Sequence, residues 1–241
     1  QKAKVGARGW GLGVGLSPQA LSLKPQVPSL VGRETELAQL HHWLDKAASG
    51  HRQMVFVTGE PGIGKTTLVE SFLYGLAPRE QEESQKAKVG AGGWEPGISS
   101  SSLQAPSLKP QVPGVWVAWG QCIEQYGTGE PYMPVLEALG RLARSPDGEQ
   151  LTTVLSQYAP TWLAQMPGLL SAAELQALRP QVLGVTRDRM LREIAEALEV
   201  LTVERTLVLV VEDLHWADAS TLGLLALLAR RQERARLLVI G

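Results

Sequence analysis

Apolar residues recur at intervals of three and four between Glu34 and Ala48, where Leu37, Leu40, Trp43 and Leu44 share one stripe, and this spacing predicts a helix. Met54 to Thr58 (MVFVT) follows as a short, β-branched apolar run of strand type. From Gly64 to Leu76 the stripe returns through Leu68, Val69, Phe72, Leu73 and Leu76, a face suited to cover a sheet, with Glu70 and Ser71 turned to water. Val115 to Gln121 (VWVAWGQ) alternates like a strand. Helical spacing then marks Pro134 to Ala143, Gln150 to Tyr158, Ala172 to Leu178 and Arg187 to Val203. Thr206 to Val211 (TLVLVV) is the most apolar strand, Thr221 to Ala229 a leucine-rich helix and Arg236 to Ile240 a last strand. Near-continuous apolar strands separated by helices indicate a parallel sheet covered on both faces, so the expected class is α/β.

Two stretches break this pattern. Residues 1–30 and 85–114 are rich in Gly and Pro and resemble each other: QKAKVGARGW at Gln1 to Trp10 returns as QKAKVGAGGW at Gln85 to Trp94, and SLKPQVP occurs at Ser22 and again at Ser107. Two copies without apolar periodicity do not build a solenoid. They read as a flexible basic tail and a duplicated flexible insert flanking and interrupting a domain that spans 31–241. The tail holds Lys2, Lys4, Arg8 and Lys24 and no acid, but spaced charges of this kind usually form a solvated tail and not a nucleic-acid arm.

Charge excludes more than it assigns. With 23 Lys and Arg against 24 Asp and Glu among 241 residues, the formal net charge is -1, so no whole-chain attraction draws the protein to nucleic acid or an anionic membrane. The single cysteine, Cys122, allows neither an internal disulfide nor a cysteine-rich zinc site, which points to a cytoplasmic protein. No apolar run approaches the roughly 18 residues of a spanning helix, so no membrane partner is expected. The chain opens on Gln1 and stops just after the apolar run Leu237 to Ile240, which reads as a fragment.

The sharpest chemical signal is Gly59-Glu60-Pro61-Gly62-Ile63-Gly64-Lys65-Thr66, followed by Thr67, which fits the phosphate-loop (Walker A) pattern G-x-x-x-x-G-K-[ST] between a strand and a helix. A polyphosphate needs backbone N–H groups aimed inward without side chains in the way, and a helix N-terminus adds partial positive charge there. Lys65 is positioned to reach the outer phosphates and the Thr66 hydroxyl to take one place on Mg²⁺. The matching acids are Glu212 and Asp213 at the end of the apolar strand 207–211, in the Walker B position, because ligands of open α/β sheets bind beyond the strands' carboxyl ends. The usual order is Asp then Glu, and here it is reversed. Neighbouring side chains on a strand point to opposite faces, so one acid faces the metal; Asp213 is the expected one and Glu212 the alternative.

Val31-Gly32-Arg33-Glu34, GEPGIGKTT from Gly59 to Thr67, and VEDLHWAD from Val211 to Asp218 followed by Ser220-Thr221-Leu222 together resemble the origin-recognition-like AAA ATPase module found in STAND-type signalling proteins and bacterial transcriptional activators. The resemblance covers about 30–84 and 115–241. It implies a three-layer phosphate-loop NTPase sandwich with a mostly parallel sheet, incomplete at the C-terminus, and ATP binding with Val31, Gly32 and Arg33 near the adenine. It places the strands at 207–211 and 236–240 beside the one at 54–58, and implies that 85–114 interrupts a segment other members join directly. The γ-phosphate sensor, fifth strand, helical lid and winged helix of the family do not follow in this chain. His215 and Trp216 match the family motif but read as packing residues.

The resulting expectation is an ATP-binding switch module of a signalling or transcriptional regulator that hydrolyses ATP slowly with Mg²⁺. Lys65, Glu212 and Asp213 are its catalytic residues, and its effector domains and any nucleic-acid contact lie outside this chain. Oligomer formation is compatible with it. No arginine is assignable as a finger, Arg230 and Arg231 reading as solvated charges, and phosphate-loop proteins without one turn over slowly. The competing expectation is a truncated, non-catalytic remnant. No Asn-Lys-x-Asp guanine box occurs, which favours ATP over GTP.

Overall fold

The computed structural model describes residues 32–76, 114–124, 130–146 and 148–241. The tail 1–30, Val31 and the insert 85–114 apart from Gly114 lie outside the described residues. In chain order the elements are α1 (Glu34–Ala48), β1 (Gln53–Val55), α2 (Lys65–Gly75), β2 (Val115–Gln121), α3 (Met133–Ala143), α4 (Gly148–Tyr158), α5 (Pro160–Ala164), α6 (Ala172–Val182), α7 (Arg187–Leu201), β3 (Thr206–Glu212), α8 (Ala219–Arg230) and β4 (Leu237–Ile240).

The four strands form one sheet in the order β1-β4-β3-β2, every pair parallel. Alternation along β3 and β4 divides the core in two. Leu207, Leu209, Val211, Leu237 and Val239 face the layer built from α3 to α8, while Val208, Val210, Leu238 and Ile240 face α1 and α2. Both faces are therefore covered, which explains why β3 reads as an unbroken apolar run: its residues from Thr206 through Val211 are all buried. The expected α/β three-layer architecture is present.

The strand order corrects one expectation. Among the described residues only β4 lies beside β1; β3 is separated from it by β4 and pairs with β2 on its other side. The short β3-α8-β4 crossover returns the chain next to the strand it left, leaving β1 to pair on the far side of β4. β1 is also shorter than MVFVT. Its ladder ends at Val55, although Gly241 N–H still donates to Val55 O (2.9 Å) and Val57 N–H to Gly241 O (2.8 Å), and Phe56 is exposed. Ser71, expected to face water, is half-buried with a buried, unpartnered hydroxyl oxygen.

Close packing shapes β2 and the helical layer beside it. Gly120 of β2 lies so close to the first turn of α3 that an added Cβ would sit 1.8 Å from the Pro134 carbonyl oxygen, so this position admits no side chain. α5 and the end of α6, Arg179 to Val182, lie outside the helices that the apolar spacing predicts. α5 is one short turn that buries Trp162, whose indole N–H donates to Met190 O at 2.8 Å. α6 runs on past Leu178 through Pro180, supported at its start by a capping box between Ser171 and Glu174.

Candidate functional site

The chain between β1 and α2 turns on Gly62 (φ 79°) and Gly64 (φ 89°), left-handed conformations that other residues rarely adopt. Gly64 is the N-cap of α2 and offers no side chain, and no acid stands in the helix's first turn. The first N–H groups of α2 are thus free of side-chain caps, the arrangement that attracts anions. Lys65 folds back over the loop, its Nζ donating to the carbonyls of Gly59 (2.9 Å) and Glu60 (3.0 Å). Arg33, ahead of α1, reaches the same loop, with Nη2 donating to Ile63 O at 2.7 Å.

A cavity of about 830 Å³ opens beside this loop. Gly59, Pro61, Gly62 and the run from Gly64 to Thr67 form one wall; Val210 to His215, with Ile240 and Gly241, form the other. The structure therefore brings Lys65, Thr66, Thr67, Glu212 and Asp213 to one space. Glu60 and Ile63 do not line it: the Glu60 carbonyl accepts from Ile63 N–H (3.3 Å) and Lys65 Nζ within the loop, and the Ile63 carbonyl accepts from Arg33. Gly32 and Arg33 do not line it either: Gly32 N–H donates to Glu34 Oε1 (3.2 Å), and Arg33 bears on the loop from outside.

The two acids are held differently. Glu212 is the last residue of β3, half-buried, and Oε2 accepts the Trp119 indole N–H at 2.8 Å. Asp213 has left the strand in a left-handed turn (φ 53°), is exposed, and Oδ2 accepts from Gln121 Nε2 at 2.9 Å. Both donors belong to β2, which pairs with β3 in the register Gln121↔Glu212. Sequence reasoning missed Trp119 and Gln121, because strands some 90 residues apart give no local sign of their register.

His215 and Trp216, expected as packing residues, are both exposed in a single 3-10 turn, with ring centroids 4.9 Å apart. His215 lines the large cavity and also a smaller one of about 230 Å³ with Cys122, Met133 and Asp218. Burial, with the charges of Asp218 and Asp213, pushes the Cys122 thiol up to about 11. Asp218 caps α8 by accepting from the N–H groups of Ser220 (2.8 Å) and Thr221 (3.0 Å). Burial acts to raise its pKa, but bonds from the Thr221 hydroxyl and N–H, Ser220 N–H and Tyr132 N–H outweigh it and hold the carboxyl below its usual range. Arg231, expected as a solvated charge, is instead paired with Glu199 away from the cavity, while Arg230 is exposed.

The residues lining the cavity include the hydroxyl-bearing Thr66 and Thr67 and the carboxylates Glu212 and Asp213, hard oxygen donors of the kind that suit Mg²⁺. Among the described residues no three His, Cys, Asp or Glu side chains gather to hold a metal. The donor set fits a cation shared with phosphate oxygens and water, as Mg²⁺ at phosphate sites usually is.

A parallel sheet between helical layers, with a glycine loop after β1 and acids at the end of β3 on one cavity, defines the phosphate-loop NTPase class. The family described as AAA ATPase domain matches residues 29–92 and 95–240, and the chain belongs to that family. Neither a curated protein nor a solved structure matches the chain. Membership points to nucleotide binding and hydrolysis. No helix among the described residues is long and apolar enough to cross a membrane.

Proposed function

We propose that the chain binds ATP with Mg²⁺ in the large cavity and hydrolyses it slowly, as the nucleotide switch of a larger signalling or transcriptional regulator. The observation that carries this reading is the shared cavity itself: the uncapped start of α2 and the acids after β3 face one space. The helix N-terminus and the loop amides accept the phosphate tail. Lys65, now satisfied by two loop carbonyls, is within its own side chain's reach of the outer phosphates, and Thr66 serves the cation.

The division between the acids follows from strand parity. Val208 and Val210 face α1 and α2, so Glu212, two residues further, leaves the strand on the side from which α2 and Thr66 approach. Glu212 therefore takes the cation and its water shell, and Asp213, exposed on the turn, orients the attacking water. This keeps the usual order of roles along the chain, metal then water, with the residue types exchanged, and it reverses the expectation that Asp213 faces the metal. No arginine among the described residues lines the cavity, which supports slow turnover, on the order of 10⁻⁴ per second. Binding of a labelled ATP analogue tests the reading. Lys65→Ala is expected to weaken it by at least about tenfold, the loss of one charge-assisted contact of ~1.5–3 kcal/mol. Unchanged binding would refute it.

A further inference from the structure

We propose that Trp119 is a positioning residue for Glu212, holding the carboxylate in the orientation that receives Mg²⁺; the proposal rests on the nucleotide reading of the cavity. β2 alternates, so Val115, Val117 and Trp119 pack towards α1 and α2 while Trp116 and Ala118 face the other layer. The register sets Trp119 beside Val210, and Glu212 lies two residues beyond Val210 on the same face. The indole then meets the carboxylate edge-on, Nε1–H donating to Oε2 at 2.8 Å in a half-buried setting.

The chemistry of the donor matters. An indole N–H is a donor only, carries no charge and is no metal ligand. It occupies one carboxylate oxygen and fixes the side chain's rotation, while the full negative charge and the second oxygen, Oε1, stay available to a cation. A lysine or arginine at the same place would neutralise the acid, and a phenylalanine would fill the space without orienting it. Groups that orient a metal's carboxylate in this way typically matter by 10- to 100-fold in metal affinity or activity.

Trp119→Phe keeps the ring against the core and removes the donor. Nucleotide binding measured without Mg²⁺ is expected to match wild type, while the Mg²⁺ concentration giving half its effect on binding rises by roughly 10- to 100-fold. On a Glu212→Ala background the same substitution is expected to add nothing, since its effect passes through that carboxylate. A midpoint within about twofold of wild type, or an equal change in both backgrounds, overturns the proposal. The indole N–H resonance of wild type, read by NMR without nucleotide, gives a second measurement that needs no folded Trp119 variant. It is expected to move when Glu212 becomes alanine, and an unmoved set of indole resonances overturns the pairing. A wild-type protein that binds no ATP defeats the nucleotide reading while the indole response still reports the pairing.

Discussion

Glu199→Ala should destabilise the protein far more than Glu196→Ala on the same helix α7. The carboxylate sits between two guanidinium groups: Oε1 accepts from Arg52 Nη2 (2.9 Å) and Arg231 Nε (2.7 Å), and Oε2 accepts from Arg231 Nη2 (2.9 Å). The side chains of Arg52, Glu199 and Arg231 are only 6%, 15% and 19% exposed. The cluster joins the entry to β1, the last turn of α7 and the end of α8. Removing its one shared acid leaves two poorly hydrated cations facing each other, and breaking a buried pair costs about 3–5 kcal/mol. Arg52 keeps the Leu228 carbonyl (3.0 Å) and Arg231 keeps Glu233 (3.3 Å), which places the loss near the lower end, about 3 kcal/mol. For a chain of this size the melting temperature should fall by roughly 6–12 °C. Urea unfolding followed by circular dichroism, at low and high salt, is the assay. Glu196→Ala, an exposed position on the same helix, should stay within about 0.5 kcal/mol of wild type. A loss below about 1 kcal/mol for Glu199→Ala, or one abolished by salt, would mean the cluster behaves as a surface pair and would refute the reasoning.

Asp218→Ala removes the α8 cap and a partner of the turn before α3, and should cost about 1–2 kcal/mol, with Asp218→Asn recovering part of it, as read by chemical denaturation. Because the folded carboxyl titrates below its ordinary 3.8, its stabilisation is present above that value and is lost as pH falls through the lowered one. Stability curves of wild type and Asp218→Asn should therefore converge in acid, and parallel curves would contradict the assignment. Cys122, with its thiol near 11 against an ordinary 9.0, should label with a thiol reagent at pH 8 at least about tenfold more slowly in the native protein than in urea, since its thiolate fraction falls by about a hundredfold and the greater nucleophilicity of the remaining thiolate offsets only part of that. Equal rates in the two states would show that the thiol is neither buried nor raised.

What the sequence discloses is what local chemistry alone requires. The phosphate loop is readable because its curvature needs glycines at set intervals and its charge needs Lys65 at the mouth of a helix. β3 and β4 are readable because burial on both faces forces continuous apolar runs. The strand order, the Trp119–Glu212 and Gln121–Asp213 bonds and the Arg52–Glu199–Arg231 cluster are not, since each depends on which distant strand or helix becomes a neighbour. Glu199 looks like any charge on an amphipathic helix, and Arg231 like a helix end, until β1 is set beside β4 and brings Arg52 to them.

Register is also what separates two acids that adjoin in the chain. On a pleated strand, one residue's advance turns a side chain to the opposite face, so Glu212 follows the face of Val210 towards α2. Asp213 escapes that alternation because the backbone swings into a left-handed turn there, a conformation that aspartate tolerates better than most residues. The order Glu-Asp suits this geometry. The longer side chain stands on the strand, where it reaches Trp119 across the gap between β3 and β2, and the shorter one stands on the turn, where Gln121 at the end of β2 meets it. Each acid thus has its own donor from the same neighbouring strand, and both residues line the cavity that the glycine loop also lines.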